Sequence, residues 1–562
     1  MMRRLTTILA LALATLTLSA CVTIPTSGPV AVGEVDTQDA QEGSVFTPQG
    51  PKDGSTQDQI LLGFLGAGVA PRDDFAIARE FLTPEMQARW DPRSSVTIRA
   101  EAIESTRVSE RVLEASVLAS QQVSVDGSMT QQEGTRNRLS FEFELVDGEW
   151  RISAAPDGIV LTPFYFGQLY RETVLQWYSV TEDTLVPEVR WFERSGEDMP
   201  SQVIDALLQG PSAWLAPTVR LQTRFGMSLV APPTVRSNGV LDVRLTAPQI
   251  GEIPRGEIER FALQVARSLD LPATPVVSVS LEGSSSFTVS SENAGELRDT
   301  AADTRPLITS EGSFQYIGTG EPLLFDYGPT LVEEEAESFA MLRDGTGGIA
   351  RAGETAFWID GASMETVPLP VLPVLIEPSL DSSGWVWMMQ GEDLTKARLW
   401  RAGQFVTLDL PEQQGERITA MEVSRDGTRL AIASTNGTES YVQIASITRN
   451  GSGVPTRVNT PLQLPELQGE ITHLTWASST SVVAVFAGVS GVEAAELVVG
   501  GRVEALAPPG SPIAQLVGAS SVTAGVESLR MVTNDGRLFS YRQERWILVT
   551  TPSPVQLLAS QV

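Results

Sequence analysis

The chain has 562 residues, of which 42% are hydrophobic, and its formal net charge is −29. Such an acidic body argues against nucleic acid as a partner, because affinity for nucleic acid rests on neutralising phosphates with Lys and Arg. The same charge disfavours direct adsorption to an anionic lipid surface. The hydrophobic content is enough for about three packed domains, so we expect a large multidomain protein.

Residues 1–20 predict a secretory signal peptide. Arg3 and Arg4 precede an uncharged run from Leu5 to Ala20. A short positive start followed by such a run is typical of a secretory signal. The run is too short for a confident membrane-spanning helix, which needs about 20 apolar residues. We expect cleavage between Ala20 and Cys21.

Cys21 is the only cysteine of the chain, and it ends the sequence "LSAC". This stretch resembles the bacterial lipobox. The resemblance implies an S-diacylglycerol on the Cys21 thiol and an N-acyl group on the amine that cleavage frees. The alternative is an ordinary cleavage site with an unmodified cysteine beside it. We predict a lipid anchor at Cys21, which places the protein on the extracytoplasmic face of the cell membrane.

Residues 21–57 predict a lipidated N-terminus followed by a flexible tether. The segment is rich in Gly, Pro, Ser and Thr and shows no hydrophobic periodicity. It cannot bury enough apolar surface to offset the entropy lost on ordering.

Residues 58–160 predict helices followed by an antiparallel sheet. The stretches "DQILLGFLGAGVA" and "DDFAIAREFL" have apolar residues at helical spacing, and Asp73 or Asp74 is a candidate cap for the second helix. Alternation in "LSFEFELVDGEWRIS" then indicates strands, with hairpin turns at Asp147-Gly148 and Asp126-Gly127. This order resembles the NTF2-like cone fold. Enzymes of that fold use His and Asp in the cone, and no histidine is present here, so a scaffold or binding role is favoured.

Residues 170–295 predict a second α+β domain. "MPSQVIDALLQGPS" and "GEIERFALQVARSL" have helical apolar stripes, while "GVLDVRLT" and "VVSVSLEG" alternate as strands. The order resembles the GerMN domain of spore-germination and cell-envelope proteins, most recognisably at "LLQGP", Leu207–Pro211. This resemblance concerns packing, so it indicates a fold rather than a chemistry.

Residues 310–562 predict an all-β propeller of about six blades, some of them degenerate. Four related phrases join a polar turn to a short apolar strand, centred on Gly345, Gly384, Gly427 and Thr480. Their steps are 39, 43 and 53 residues, and four-stranded blades repeat at about 40–45 residues. The third step requires a longer loop. A large β-sandwich is the alternative.

Searching for reactive groups finds no catalytic constellation. His473 is the only histidine, and it enters a predicted strand with no Cys or second His to complete a metal site. We interpret it as a hydrogen-bonding residue at a strand end. The acidic run Glu333–Glu337 is typical of a solvated face, and the Gly-rich stretch at Gly345–Ala350 lacks the lysine of a phosphate loop. We expect no enzymatic activity, no cofactor and no metal.

Taken together, the chain resembles the LpqB family of actinobacterial envelope lipoproteins over essentially its whole length. The most telling stretches are "LSACVTIPTSGPV", "VPEVRWFERSG" and "ALLQGPSAWLAPTVR", at residues 18–30, 186–196 and 206–220. LpqB-like proteins act beside the MtrA–MtrB two-component system, and the resemblance implies the extracytoplasmic domain of an MtrB-like sensor histidine kinase as partner. Only Cys21 transfers as a functional residue.

The expected function is that of an accessory protein that modulates a sensor kinase in cell-envelope signalling. Two alternatives remain. The first is a protein that binds peptidoglycan or another glycan. The second is a glycoside-acting enzyme that uses two carboxylates from propeller loops, which would require an acidic pair about 5–10 Å apart facing a cleft.

Overall fold

A computed structural model describes residues 48–562. Within that range it leaves out 133, 135, 182, 195–198, 222–224, 249–252, 270–275, 283–286, 294–296, 298–304, 318–322 and 519–524. Pro48–Val562 forms one compact unit. The signal peptide, Cys21 and most of the predicted tether lie outside the described residues.

The N-terminal domain places helices against a curved sheet. Its helices are α1 (Gln57–Ala67), α2 (Arg72–Arg79), α3 (Pro84–Arg89) and α4 (Pro163–Leu169). Its strands are β1 (Ser95–Arg99), β2 (Glu104–Ser109), β3 (Val112–Ser124), β4 (Met129–Gln131), β5 (Arg136–Val146), β6 (Glu149–Ala154) and β7 (Ile159–Leu161). The sheet order is β6-β5-β3-β1-β7, with β2 and β4 also paired to β3.

Threonines define the starts of three of these helices. Thr56 caps α1 in a capping box with Gln59, and Thr83 and Thr162 cap α3 and α4, each directly before a proline. A threonine side chain at this position accepts a bond from an otherwise unsatisfied backbone N–H, and proline suits the first helical position. The apolar faces predicted for α1 and α2 are buried, whereas Leu145 at the end of β5 is 53% exposed.

The predicted cap of α2 is wrong. The residue before this helix is Pro71, which makes no side-chain cap bond, and Asp73 and Asp74 have φ values of 51° and 55°. Asp74 instead pairs with Arg79 at 2.6 Å and with Arg93 at 2.5 Å. Its carboxylate therefore joins the end of α2 to the turn before β1 and does not cap the helix start.

The middle domain is a second α+β unit. It contains β8 (Tyr170–Tyr178), β9 (Leu185–Glu193), α5 (Met199–Gln209), β10 (Ser228–Leu229), β11 (Thr234–Val235), β12 (Leu241–Thr246), α6 (Arg255–Ser268), β13 (Val277–Leu281) and β14 (Phe287–Ser290). The parallel pair β12–β13 is joined through α6, as parallel pairs require. The predicted apolar faces of α6, β12 and β13 are buried. The strands before α5 form a separate two-stranded hairpin, β8–β9.

In the described residues, the C-terminal domain consists of sheets of four to seven strands arranged around a ring. Its strands in chain order are β15 (Leu307–Ser310), β16 (Ser313–Tyr316), β17 (Ser338–Met341), β18 (Gly347–Ala352), β19 (Thr355–Asp360), β20 (Thr366–Pro368), β21 (Ser379–Leu380), β22 (Val386–Met388), β23 (Lys396–Arg401), β24 (Gln404–Asp409), β25 (Arg417–Val423), β26 (Arg429–Thr435), β27 (Glu439–Arg449), β28 (Pro455–Val458), β29 (Leu462–Gln463), β30 (Leu467–Gln468), β31 (Glu470–Trp476), β32 (Ser481–Gly488), β33 (Gly491–Val498), β34 (Val503–Leu506), β35 (Ile513–Val517), β36 (Arg530–Thr533), β37 (Leu538–Arg542), β38 (Arg545–Val549) and β39 (Leu557–Gln561). One helix, α7 (Gly328–Glu333), precedes β17.

Within the described residues, five blades run β17–β20, β21–β24, β25–β28, β31–β34 and β35–β38. A sixth position is composite, because β39 pairs with β15 on one side and with β17 on the other. The first and last strands of the domain thus share one sheet. The predicted fold class, two α+β domains and a propeller of about six blades, is confirmed.

The predicted turns lie where blades begin. Gly345, Gly384 and Gly427 have φ values of 70°, 81° and 72° and join the first two strands of three successive blades. The left-handed region favours glycine because it has no Cβ. Thr480 occupies the same place between β31 and β32. The 53-residue step is explained by β29 and β30, short strands that add to the edge of the third blade.

Candidate functional sites

The inner strands of the propeller enclose a central chamber of about 80 Å³. Its lining comes from β17, β21, β25, β31, β35 and β39 and from residues next to them, and it includes the ionisable side chains of Glu377, Glu422 and His473. Because one water molecule needs about 10–15 Å³ of this kind of cavity volume, the chamber has room for a few water molecules.

Glu422 is one of two acids of this chamber whose pKa is raised. Burial raises the pKa of Glu422 to about 7, although the Trp476 backbone N–H and the Thr475 side chain favour its charged form. The N–H of Trp476 donates to Glu422 Oε2 at 2.7 Å. Burial also raises the pKa of Glu377, with Arg351 opposing. Glu377 adds to the rise at Glu422 through charge repulsion.

His473 lies within β31, at an irregularity in the pairing with β32, rather than at a strand end. Its Nε2 is 3.3 Å from the carbonyl oxygen of Ala514, to which it donates, and its Nδ1 is 3.0 Å from Thr472 Oγ1. Burial lowers the pKa of His473. The expected hydrogen-bonding role agrees with this geometry, but the sequence did not indicate that the ring lines the chamber.

The chamber does contain two carboxylic acids, yet its size limits what they can do. Ligand pockets typically measure about 300–1,000 Å³, so about 80 Å³ does not admit a sugar ring. Across the described part of the chain, no group of three or more His, Cys, Asp or Glu side chains is arranged to hold a metal ion.

The acidic run Glu333–Glu337 and the Gly-rich stretch Gly345–Ala350, both considered in the sequence analysis, make ordinary structural contacts. Glu334 accepts from Thr366 at 3.1 Å, Glu337 pairs with Arg351 at 2.9 Å, and the Gly-rich stretch opens β18.

A larger cleft of about 510 Å³ lies between the N-terminal and middle domains. Its apolar lining is Val96, Val123, Val125, Tyr170, Trp191, Phe192 and Ala206, and its polar lining is Arg93, Ser124, Asp126, Glu193, Gln202, Asp205 and Gln209. This volume falls in the range of small-molecule sites. Aromatic faces beside amide and carboxylate groups suit a polar ligand with apolar faces.

Fixed charges border the cleft. Arg93 Nε lies 3.4 Å from Glu193 Oε2. Arg190, fully buried, binds Asp126 at 2.7 Å and Glu188 at 3.0 Å. Burial by itself would raise the pKa of Asp126, but Ser128 and Arg190 outweigh it and the pKa lies below its ordinary value. The carboxylate of Asp126 therefore stays charged and joins the two domains.

The propeller is fastened to both other domains. Gln121 of the N-terminal domain donates its side-chain amide N–H to the carbonyl of Gly501 at 3.4 Å, and three further bonds come from the middle domain. The indole N–H of Trp191 donates to the carbonyl of Gly500 at 3.0 Å. The Thr218 hydroxyl donates to the carbonyl of Ile447 at 2.8 Å, and the Ser446 hydroxyl donates to that of Trp214 at 2.6 Å. Buried polar groups that are satisfied across a contact fix its geometry. The three domains therefore present one continuous surface.

Sequence reasoning missed both the chamber and the cleft. The chamber had one signal, an acidic residue near the end of an otherwise apolar strand, Glu422 in "ITAMEVSRDG". The cleft had none, because its walls come from segments far apart in the chain. Ala20 and Cys21 lie outside the described residues. None of the helices in the described part is long and apolar enough to cross a bilayer.

These features define a multidomain, mostly β protein with a propeller packed onto two smaller domains. Comparison with known families identifies it further. A family model described as "Lipoprotein LpqB, N-terminal domain" matches residues 50–167, and one described as "Lipoprotein LpqB beta-propeller domain" matches residues 329–555. Together they span more than half of the chain, which belongs to the LpqB lipoprotein family.

Relatives with the same family name match most of the chain. The chain is 26% identical to a "Lipoprotein LpqB" of Rhodococcus opacus (strain B4), covering 88% of each chain. It is 25% identical to a "Lipoprotein LpqB" of Streptomyces avermitilis, covering 96% of each. Among solved structures, a nidogen/laminin complex chain matches at 12% identity and a TM-score of 0.32, covering 45% of this chain and 97% of that one.

Proposed function

We propose that this protein is an envelope lipoprotein, anchored by lipid at Cys21 on the extracytoplasmic face of the membrane, that modulates an MtrB-like sensor histidine kinase without catalysing a reaction. The observation that carries this proposal is the fastening of the propeller to the N-terminal domain through Gln121 and to the middle domain through Trp191, together with a chamber too small for a sugar ring. Such a body offers a wide, preformed surface to another protein. A lipid at Cys21 would hold it beside a membrane receptor.

Calorimetry of residues 22–562 with the purified extracytoplasmic domain of the cognate kinase tests this function directly. We expect saturable binding, and none to the corresponding domain of an unrelated kinase. Two exposed valines locate the surface: Val125 at the rim of the cleft, 71% exposed, and Val489 on the β32–β33 hairpin, 96% exposed. Loss of binding in Val125→Arg alone assigns the contact to the cleft, and loss in Val489→Arg alone assigns it to the propeller. Absence of binding by the folded wild type would refute the proposal.

Glycan binding is the second candidate, because the cleft has the volume and the aromatic and amide lining that such a ligand needs. Co-sedimentation with insoluble cell wall that persists at high salt would favour it. If high salt abolished the co-sedimentation, the association with the cell wall would be electrostatic attraction and would not support glycan recognition.

A further inference from the structure

A second recess of the propeller, of about 20 Å³, collects positive charge in a strongly acidic protein. We call it the arginine recess. Arg305, Arg425 and Arg530 line it, together with Tyr316, Gly518 and Gln561 among others. Its described lining contains no aspartate or glutamate.

The recess lies at one end of the central axis. Arg425 follows the end of β25, Gly518 follows the end of β35, and Gln561 ends β39. These are inner strands of three blades, so residues distant in sequence meet where the strands finish. Val517 lines both the chamber and the recess.

Arg425, which is partly buried, differs from two other arginines of the same blade. Arg429 pairs with Asp426, and Arg449 pairs with Asp381 at 2.5 Å. For Arg425, the described part of the chain supplies neither an ion pair nor a hydrogen bond to the guanidinium. A cation that is partly withdrawn from water loses solvation, and here no ion pair in the described residues replaces it.

The charged groups near Arg425 do little to offset its loss of solvent. Burial lowers the pKa of Arg425 to about 10, with Glu422 opposing and Arg343 adding repulsion. Burial lowers the pKa of Arg530 to about 10 as well, with repulsion from Arg542. Glu422, whose pKa is about 7, carries only part of a negative charge at neutral pH. Within the described residues, Arg425 therefore has only this partly charged acid to oppose it.

The walls of the recess are held in place. The guanidinium of Arg305 lies 4.4 Å from the centre of the Tyr316 ring, and the Tyr316 hydroxyl accepts from Gln561 Nε2 at 2.9 Å. Arg530 Nη1 donates to the carbonyls of Glu527 and Leu529 at 2.8 and 2.7 Å. Donors fixed in this way lose little entropy when a ligand arrives.

We propose that the arginine recess binds a phosphoryl group, with Arg425 as its central cation. Guanidinium groups match the oxygens of phosphate and hold them by paired charge-assisted hydrogen bonds. The volume of about 20 Å³ corresponds to one or two water molecules at about 10–15 Å³ each, so the recess would receive oxygens of such a group while the rest of the ligand stays outside. A free phosphate and the headgroup of a phosphatidic lipid both present this group. The proposal goes beyond kinase modulation and does not depend on it.

Thermal unfolding of residues 22–562 in millimolar phosphate, against chloride at equal ionic strength, tests the site. Pro48–Val562 forms one compact unit with its own cores, so this chain keeps the folded body. Because a ligand that binds only the native state stabilises it, we expect phosphate to raise the Tm. Arg425→Gln should abolish the rise and weaken phosphate binding by at least about tenfold. Unlike loss of a structural ion pair, it should not lower the Tm in chloride.

Arg457→Gln is the matched control, since Arg457 is exposed on β28 of the same blade. It should keep the full response to phosphate. An equal response in all three proteins, no response in the wild type, or an equal response to acetate would overturn the proposal. A soluble short-chain phosphatidic acid distinguishes the sources. A larger Tm rise than with phosphate identifies a lipid headgroup, and an equal rise identifies the phosphoryl group alone, each with loss in Arg425→Gln.

Discussion

At the scale of single residues, Glu422 and Asp426 respond to burial in opposite ways. Burial alone would raise the pKa of Asp426, but Arg429, Thr428 and Ser424 outweigh it and the pKa lies below its ordinary value. Glu422 receives the Trp476 N–H and Thr475, which do not compensate, and its pKa rises to about 7. A full positive charge at hydrogen-bond distance thus decides the ionisation of a buried acid.

This contrast predicts how stability depends on pH. The pKa of Glu422 rises from 4.5 to about 7 on folding, so the native state binds more protons between these values. The free energy of unfolding therefore falls as the pH rises through this window. Glu422→Gln should reduce that fall and exceed the wild type at pH 8 by up to roughly 3 kcal/mol, with little difference below pH 4.5.

Urea denaturation at acidic and basic pH measures this difference. Glu377 has a raised pKa from burial too, so the variant should keep part of the slope. The control is Glu412→Gln, because Glu412 is exposed on the same domain. If Glu422→Gln kept the whole wild-type slope, Glu422 would not be the group that titrates.

Residue types alone predict only part of this behaviour. Cys21 could be singled out because its neighbours in sequence carry the signal. The roles of Glu422, His473 and Arg425 depend on strands from different blades, and no local pattern encodes such neighbours. These side chains acquire their neighbours only when the blades close into a ring.

At the scale of elements, local patterns predicted the hairpins but not their contacts. Asp126-Gly127 and Asp147-Gly148 both form turns, with glycine φ values of 81° and 85°. The carbonyl of Gly127 accepts from the Trp191 N–H at 2.8 Å, whereas nothing lies within 4 Å of a Cβ added at Gly148. The hairpin at Gly127 therefore contacts β9 of the middle domain, whereas the Cβ position of Gly148 faces open space.

Replacing each glycine by alanine separates strain from docking. Both variants should lose roughly 1–3 kcal/mol from the positive φ. Gly127→Ala should lose more, because its Cβ would lie 3.0 Å from the Trp191 carbonyl oxygen. Chemical denaturation of both variants measures the difference, and equal losses would show that the contact with β9 adds nothing to stability.

At the scale of the whole molecule, the three domains share cores as well as hydrogen bonds. The core of the N-terminal domain includes Val189 and Trp191 of the middle domain and Val498 of the propeller. The sequence predicted three separate domains, and their internal elements could be read from periodicity. Their docking could not, because it joins residues such as Trp191 and Gly500 that no repeat or motif connects.

Two tryptophans test this docking. Trp191 donates its indole N–H to Gly500 across two domains, and Trp546 donates to Ala507 within the propeller, each at 3.0 Å. Trp191→Phe and Trp546→Phe should each cost about 1–2 kcal/mol for the lost bond. Only Trp191→Phe should split a single calorimetric transition into one for the propeller and one for the other domains. A single transition in both variants would show that this bond does not couple them.

The composite sixth position of the ring has a consequence for how the protein matures. β39 follows all the other described strands of the propeller in the chain, and among the described strands it alone joins β15 to β17. Until it emerges, both partners expose unpaired edges, which invite aggregation and proteolysis. A chain exported with its N-terminus first would reach the far side of the membrane while its ring is still open. The ring then closes only when β39 has emerged, and a copy that stops before β39 keeps exposed strand edges that proteases can recognise.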